Sequence, residues 1–326
     1  MRLILITVAL VVLTACESQS TASPDSQTDT NDESAYEFVA RIQQEQLAMS
    51  EEIWAAYWVR QNFITKDTAV LAAKAGERSL EFESRMVEQA KRFKGTEMDT
   101  DTARAIELML RGSAAPAPDD PEKRAELAAI LTDMEGQYGA GEYCSEVDGK
   151  QVCRQLQELE AVLAKSRDYD ELLDVWQGWR TVSPAYKPQY QRFVQLANEG
   201  AATFGFDNLG DLWKAGYDMP TEAFTIEARR LWEQVKPFYE ELHCHVRAKL
   251  AEEYGEQRVP LDGPIPAHLL GNMWSQTWDN IYPLLEPFEG VASLDVTAAL
   301  KEQGYDEEQM TRMAETFFTS DRKSVV

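Results

Sequence analysis

Histidine is scarce in this 326-residue chain: there are three, His243, His245 and His268, and no two stand four apart. The His-Glu-x-x-His arrangement, which puts two imidazoles on one helical face to grip a metal while the glutamate activates water, is therefore not among its residues. His243 and His245 are two apart, so on a helix their rings point to different sides. All three read as helix-surface or core-edge rings with hydrogen-bond partners rather than ligands. Basic residues are also few, 32 Lys and Arg against 56 Asp and Glu, and a formal charge of −24 repels nucleic acid and anionic lipid alike. Strand-like alternation is missing outside one short hairpin, and neither an internal repeat nor a clear domain boundary is visible. No apolar run is long enough to span a bilayer.

The longest such run is at the N-terminus. After Met1 and Arg2 come thirteen apolar or small residues, Leu3 to Ala15, which read as an export signal. Its end, Leu13-Thr14-Ala15-Cys16, resembles the bacterial lipobox, in which the cysteine is lipidated; the alternative is an ordinary signal peptide with a chance cysteine. An acylated Cys16 would tether the protein to a membrane, and by resemblance to lipoprotein sorting Glu17 favours the outer membrane, facing the periplasm. Residues 17–33, ESQSTASPDSQTDTNDE, hold no large apolar side chain and read as a flexible linker.

What is abundant is helical periodicity. Ser34 with Glu37 forms a capping box, and Phe38, Ile42, Met49, Ile53, Tyr57 and Ile64 keep to one stripe. Further helices are expected over about Asp67–Phe93 and Asp101–Arg111, from Asp120-Pro121 onward, and from the hairpin to about residue 202. A long helix over Thr221–Tyr254 should carry Phe224, Ala228, Leu231, Val235, Leu242, Val246 and Leu250 on one face. Pro237 is expected to kink it and Gly255 to stop it. Cys144 and Cys153 flank Val147-Asp148-Gly149-Lys150, a two-residue hairpin turn signal, and should form a disulfide. Cys244 reads as a small core residue. The fold class is all-α apart from the hairpin.

One stretch stands apart: GPIPAHLLGNMWSQTW, residues 263–278. Its prolines suggest a stiff approach into a helix on which Trp274 and Trp278, four apart, wall an apolar cleft beside Gln276. With SRDYDELLDVWQGWR (166–180), HVRAKLAEEYG (245–255), NIYPLLEPF (280–288) and AETFFTS (314–320), it resembles the angiotensin-converting-enzyme (peptidyl-dipeptidase A) family of zinc metallopeptidases. The resemblance runs from about residue 34 to 320. It implies a long-helix bundle forming the lid and one side of a peptidase cleft that releases C-terminal dipeptides from oligopeptides.

It also implies roles. Gln276 matches the glutamine that binds the substrate carboxylate, while Arg180 and Tyr217 match residues of two chloride sites; Trp274 and Thr277 would line the cleft. Read without the family, Gln276 could be a buried amide tying two loops together, Arg180 a surface ion pair with Asp170 or Glu171, and Tyr217 a core aromatic with a bonded hydroxyl. The family's cofactor is zinc, and this chain offers no ligand set for it. The expectation is an N-terminal portion, inactive alone, with residues 321–326 a divergent tail marking a premature stop or shifted frame. The alternatives are a non-catalytic peptide-binding lipoprotein, or one half of a split peptidase whose C-terminal half is separately encoded. Helices built to pack on absent residues should expose apolar faces.

Overall fold

The computed structural model describes residues 33–112, 114–147, 149–288 and 295–320. The expected signal, Cys16, nearly all of the linker and the 321–326 tail lie outside the described residues, as does Asp148 of the hairpin turn. Twelve α-helices and one two-stranded sheet occur among the described residues, so the chain is all-α. In chain order the elements are α1 (Ala35–Asn62), α2 (Lys66–Ala90), α3 (Thr100–Arg111), α4 (Pro121–Gly139), β1 (Glu142–Val147), β2 (Lys150–Gln155), α5 (Leu156–Lys165), α6 (Tyr169–Trp179), α7 (Lys187–Thr203), α8 (Leu209–Ala215), α9 (Thr221–Tyr254), α10 (Tyr282–Leu285), α11 (Val296–Glu302) and α12 (Glu307–Ser320). None of the described helices is long and apolar enough to cross a membrane.

Polar side chains set where the helices begin. Ser34 and Glu37 close the capping box on α1, with Ser34 N donating to Glu37 Oε2 at 2.9 Å. Thr65, Asp99, Asp120, Asp168 and Asn208 accept from first-turn amides of α2, α3, α4, α6 and α8, meeting donors that would otherwise have no helical partner. Gly255, at φ +87°, ends α9 with its amide on Ala251 O, a conformation that favours glycine.

The chain divides into two compact units. Among the described residues, the first comprises those of 33–140 and 185–226. In it α1, α2 and α3 meet over Phe38, Ile42, Phe82, Phe93 and Ile106, while α4 and α7 close a second cluster of Leu127, Phe193 and Leu196. Arg60 is buried across α4, donating to Thr65 O at 2.9 Å, and only glycine at 136 leaves it room, since a Cβ there would lie 1.6 Å from its Nη2.

The second unit comprises the described residues of 141–184 and 227–320. Leu159 and Leu163 of α5, Leu172, Val175 and Trp179 of α6, and Val246 and Leu250 of α9 pack with Leu269, Met273 and Ile281. The hairpin pairs Cys144 directly opposite Cys153, and the two form a disulfide.

One expectation about α9 needs revising, that for Cys244. Pro237 stands inside α9, which continues past it. Of the expected apolar stripe, only Val246 and Leu250 are buried, whereas Leu231, Val235 and Leu242 are exposed along with Phe238 at 72%. Cys244 is exposed, not a core residue, because it points away from the face that Val246 and Leu250 bury.

Candidate functional site

The stretch 263–278 does not form the expected helix. Beyond one 3-10 turn at Ala267–Leu269 it is a folded loop. Leu269, Leu270 and Met273 anchor it in the core of the second unit. Asn272 gives the next turn its shape: Asn272 Oδ1 accepts from Trp274 N at 3.1 Å and Gln276 N at 3.2 Å, and its amide nitrogen donates to Thr277 Oγ1. A side chain that takes up local backbone donors competes with helix formation. Ser275 sits at φ +58° and donates its hydroxyl to Ala267 O at 2.9 Å, and Trp278 Nε1 donates to Ser275 O. Trp274 and Trp278 therefore do not share a helical face.

Gln276 emerges from this turn exposed, and its side-chain amide makes no hydrogen bond among the described residues. The reading as a buried tie between loops is overturned: the carboxamide faces solvent while its own backbone is held. Thr277 is exposed beside it, and Trp274 is 44% exposed.

Arg180, at the C-terminal cap of α6, braces the same turn from behind. It donates from Nη2 to Met273 O at 2.6 Å and from Nη1 to Met273 Sδ at 2.6 Å and Trp176 O at 3.3 Å. Its guanidinium lies 3.9 Å from the Trp176 ring centroid and 5.5 Å from that of Trp274, within cation–π range. Burial pulls its pKa below the ordinary value, partly offset by Glu160, whose carboxylate also accepts from Met273 N at 3.1 Å. The surface ion pair considered for Arg180 does not form: Asp170 pairs with Arg258 instead, and Glu171 accepts from Ser166. The structure thus brings Arg180, Trp274, Gln276 and Thr277 to one turn.

Tyr217 belongs to the first unit. It is 61% exposed, not a core aromatic, and its ring stacks on Phe224 with centroids 4.2 Å apart. Its neighbour Asp218, at φ +60°, is chelated by Arg104 and Arg111, and these two hold its carboxyl down at about 2.

The histidines diverge as their spacing requires. His245 Nε2 contacts Leu285 O at 2.9 Å; His243 lies edge-on to Trp278 at 4.9 Å; His268, 4% exposed, meets the Tyr169 ring at 4.6 Å. Contrary to the expected hydrogen bonds, Nε2 of His243 and of His268 has no partner among the described residues. One group of three donors close enough for a cation occurs among the described residues, Glu142 with Cys144 and Cys153. Both thiols are consumed in the disulfide, so that group does not fit zinc. Two features of the site went unread in the sequence. Asn272 stood inside the singled-out stretch with no periodic signal to mark it. A groove of about 630 Å³ lined by Leu242, His245, Val246, Trp278, Tyr282 and Leu285 depends on a fold that brings residues forty apart together.

Comparison with known proteins gives this site a context. Residues 29–322 match the family model described as angiotensin-converting enzyme. The angiotensin-converting enzyme of Sus scrofa is 38% identical over 270 residues, 82% of this chain and 20% of that protein. That of Theromyzon tessulatum is 39% identical over 212 residues, 64% of this chain and 34% of the other, and that of Oryctolagus cuniculus 43% over 197 residues, 60% and 15%. The chain thus spans about a fifth to a third of the length of the first two relatives. A match running through both units and across the Asn272 turn assigns this chain to the angiotensin-converting enzyme family of peptidases.

Proposed function

We propose that this chain forms the lid and one wall of a peptidyl-dipeptidase cleft, residues 34–320 being the N-terminal part of that domain, and that Gln276 grips the C-terminal carboxylate of an oligopeptide. The observation that carries the reading is the exposed Gln276 carboxamide on a turn fixed by Asn272 and braced by Arg180. A neutral amide can donate to a carboxylate without a counter-charge, and a bond to a charged acceptor is of the stronger kind. Trp274 and Thr277 line the approach, while Arg180 and Tyr217 contribute to chloride sites. In Arg180 a guanidinium that makes no ion pair among the described residues, with only Glu160 acting on it from a distance, suits an anion. Zinc chemistry in the family needs ligands that the described residues do not assemble, so this chain alone does not hydrolyse peptides.

The long exposed apolar stretch of α9, with Leu231, Val235 and Phe238, favours a second element to the reading: a complementary C-terminal portion, encoded with this one or separately, covers it. Lipidation at Cys16 and retention at the periplasmic side of an outer membrane complete the proposal. It is checked by labelling with radioactive palmitate, which a Cys16→Ala chain should not incorporate.

Two measurements test the core of it. A short peptide with a free C-terminus should bind the purified chain better than its C-terminal amide, and Gln276→Ala should remove the difference; equal binding of acid and amide refutes the role of Gln276. Incubation with zinc and a peptide blocked at its N-terminus should release no dipeptide. Release that a chelator abolishes overturns the inactivity.

A further inference from the structure

An indole ring left in water forgoes a large burial gain, yet α1 carries two such rings, Trp54 at 70% and Trp58 at 62% exposed. Trp54, Tyr57, Trp58 and Gln61 fall at i, i+3, i+4 and i+7, one face of the helix. Together with Ala55, and with Glu135 from α4, they line a cleft of about 580 Å³. The cleft lies wholly within the first unit and shares no residue with the 263–278 turn.

Its polar end offers acceptors. Gln61 Nε2 donates to Glu135 Oε1 at 3.2 Å, and an ionised carboxylate accepts about four hydrogen bonds. Glu135 enters no ion pair among the described residues, and the Gln61 carbonyl accepts no hydrogen bond among them. The basic groups at hand are engaged: Arg60 donates to Thr65 O and Thr132 O, and Arg78 pairs with Glu52. Burial raises the pKa of the Tyr57 hydroxyl and the Glu135 charge adds to it, so the field of that carboxylate reaches the aromatic face.

What suits this arrangement is flat, cationic and rich in donors. A guanidinium stacks on an indole face, is more weakly hydrated than an ammonium, and meets a carboxylate through paired N–H groups. We propose that this cleft takes the arginine side chain of a peptide, its guanidinium stacked on the tryptophan face of α1 and its N–H groups on Glu135 and the Gln61 carbonyl. That the arginine arrives on a peptide rests on the function proposed above; the preference for a guanidinium rests on the cleft alone.

Short alanine-based peptides, acetylated and amidated, with arginine, citrulline, lysine or norleucine at the centre test it by calorimetry on the full 326-residue chain. Citrulline keeps the shape of arginine without its charge. The arginine peptide should bind about tenfold more tightly than the citrulline peptide, and Glu135→Gln and Trp58→Ala should each weaken it about threefold. Both side chains are exposed; should one variant fail to fold by circular dichroism, the other decides. A formal charge of −24 attracts any cation, so equal binding of the arginine and lysine peptides overturns the proposal. Absence of saturable arginine binding, or arginine binding untouched by the substitutions, does the same. With both peptide ends blocked, Gln276 has no carboxylate to hold, so this outcome and that of the Gln276 test stand or fall separately.

Discussion

Replacing Asn272 by alanine isolates what holds the Gln276 turn. Asn272, 9% exposed, accepts from the amides of Trp274 and Gln276 and donates to Thr277 Oγ1. Each of the two accepted bonds carries about 0.5–1.5 kcal/mol net, an upper sum of about 3 kcal/mol, but Trp274 and Gln276 are exposed and water recovers part of it. A local loss of about 1–2 kcal/mol follows, and at 1.4 kcal/mol per tenfold this is roughly five- to thirtyfold faster hydrogen exchange at those two amides. Asn272→Asp keeps the acceptor and should preserve protection of both amides while losing the donated bond to Thr277. Exchange followed residue by residue distinguishes the two variants. Unchanged exchange at Trp274 and Gln276 in Asn272→Ala would refute the claim that this side chain, rather than the packing of Leu269 and Met273, shapes the turn.

Three further outcomes are expected. Replacing Cys144 and Cys153 together by alanine should cost about 2–3 kcal/mol, read as a lower denaturant midpoint, and added reductant should have no further effect on that variant; a midpoint equal to the wild type's contradicts a stabilising bridge. Gly200→Ala drives a Cβ to within 2.1 Å of Pro116 O, a backbone atom that cannot yield like a side-chain end, so thermal stability should fall by about 1–3 kcal/mol or more. His268 is pushed down to about 4 by burial, against its ordinary value of about 6.5. Between those values the unfolded chain binds the proton and the folded one does not, so stability present above about 6.5 is lost as pH falls toward 4, by up to about 3 kcal/mol. His268→Leu should flatten the slope of stability against pH in that window, and an identical slope would assign the acid sensitivity elsewhere.

Much of this could be read before any coordinates. Capping residues such as Ser34, Asp120 and Gly255 act on their immediate neighbours, so they set helix ends from sequence alone. The same holds for the turn between Cys144 and Cys153. Periodicity also found α9, but it cannot say which part of an apolar face is covered: Leu231 and Leu250 look alike in pattern, yet only Leu250 meets α5 and α6 in a core. The 263–278 stretch misled for a different reason. Two tryptophans four apart suggest a helix, but Asn272 and Ser275 bond to nearby backbone and turn the chain instead. Family resemblance singled out Arg180; its partner Met273, ninety-three residues away, needed the fold.

The two units are interlaced along the polypeptide, since residues 141–184 of one interrupt the other, whose remaining helices α7 and α8 come afterwards. A ribosome delivers the chain in order, and neither body is complete when its first segment emerges. The hairpin with α5 and α6 must wait for Val246, Leu250 and Met273 before its apolar side chains are sheltered. The first body is complete once residue 226 has emerged, with residues 141–184 looped out of it, so the second closes last, from two segments that the first holds apart along the chain.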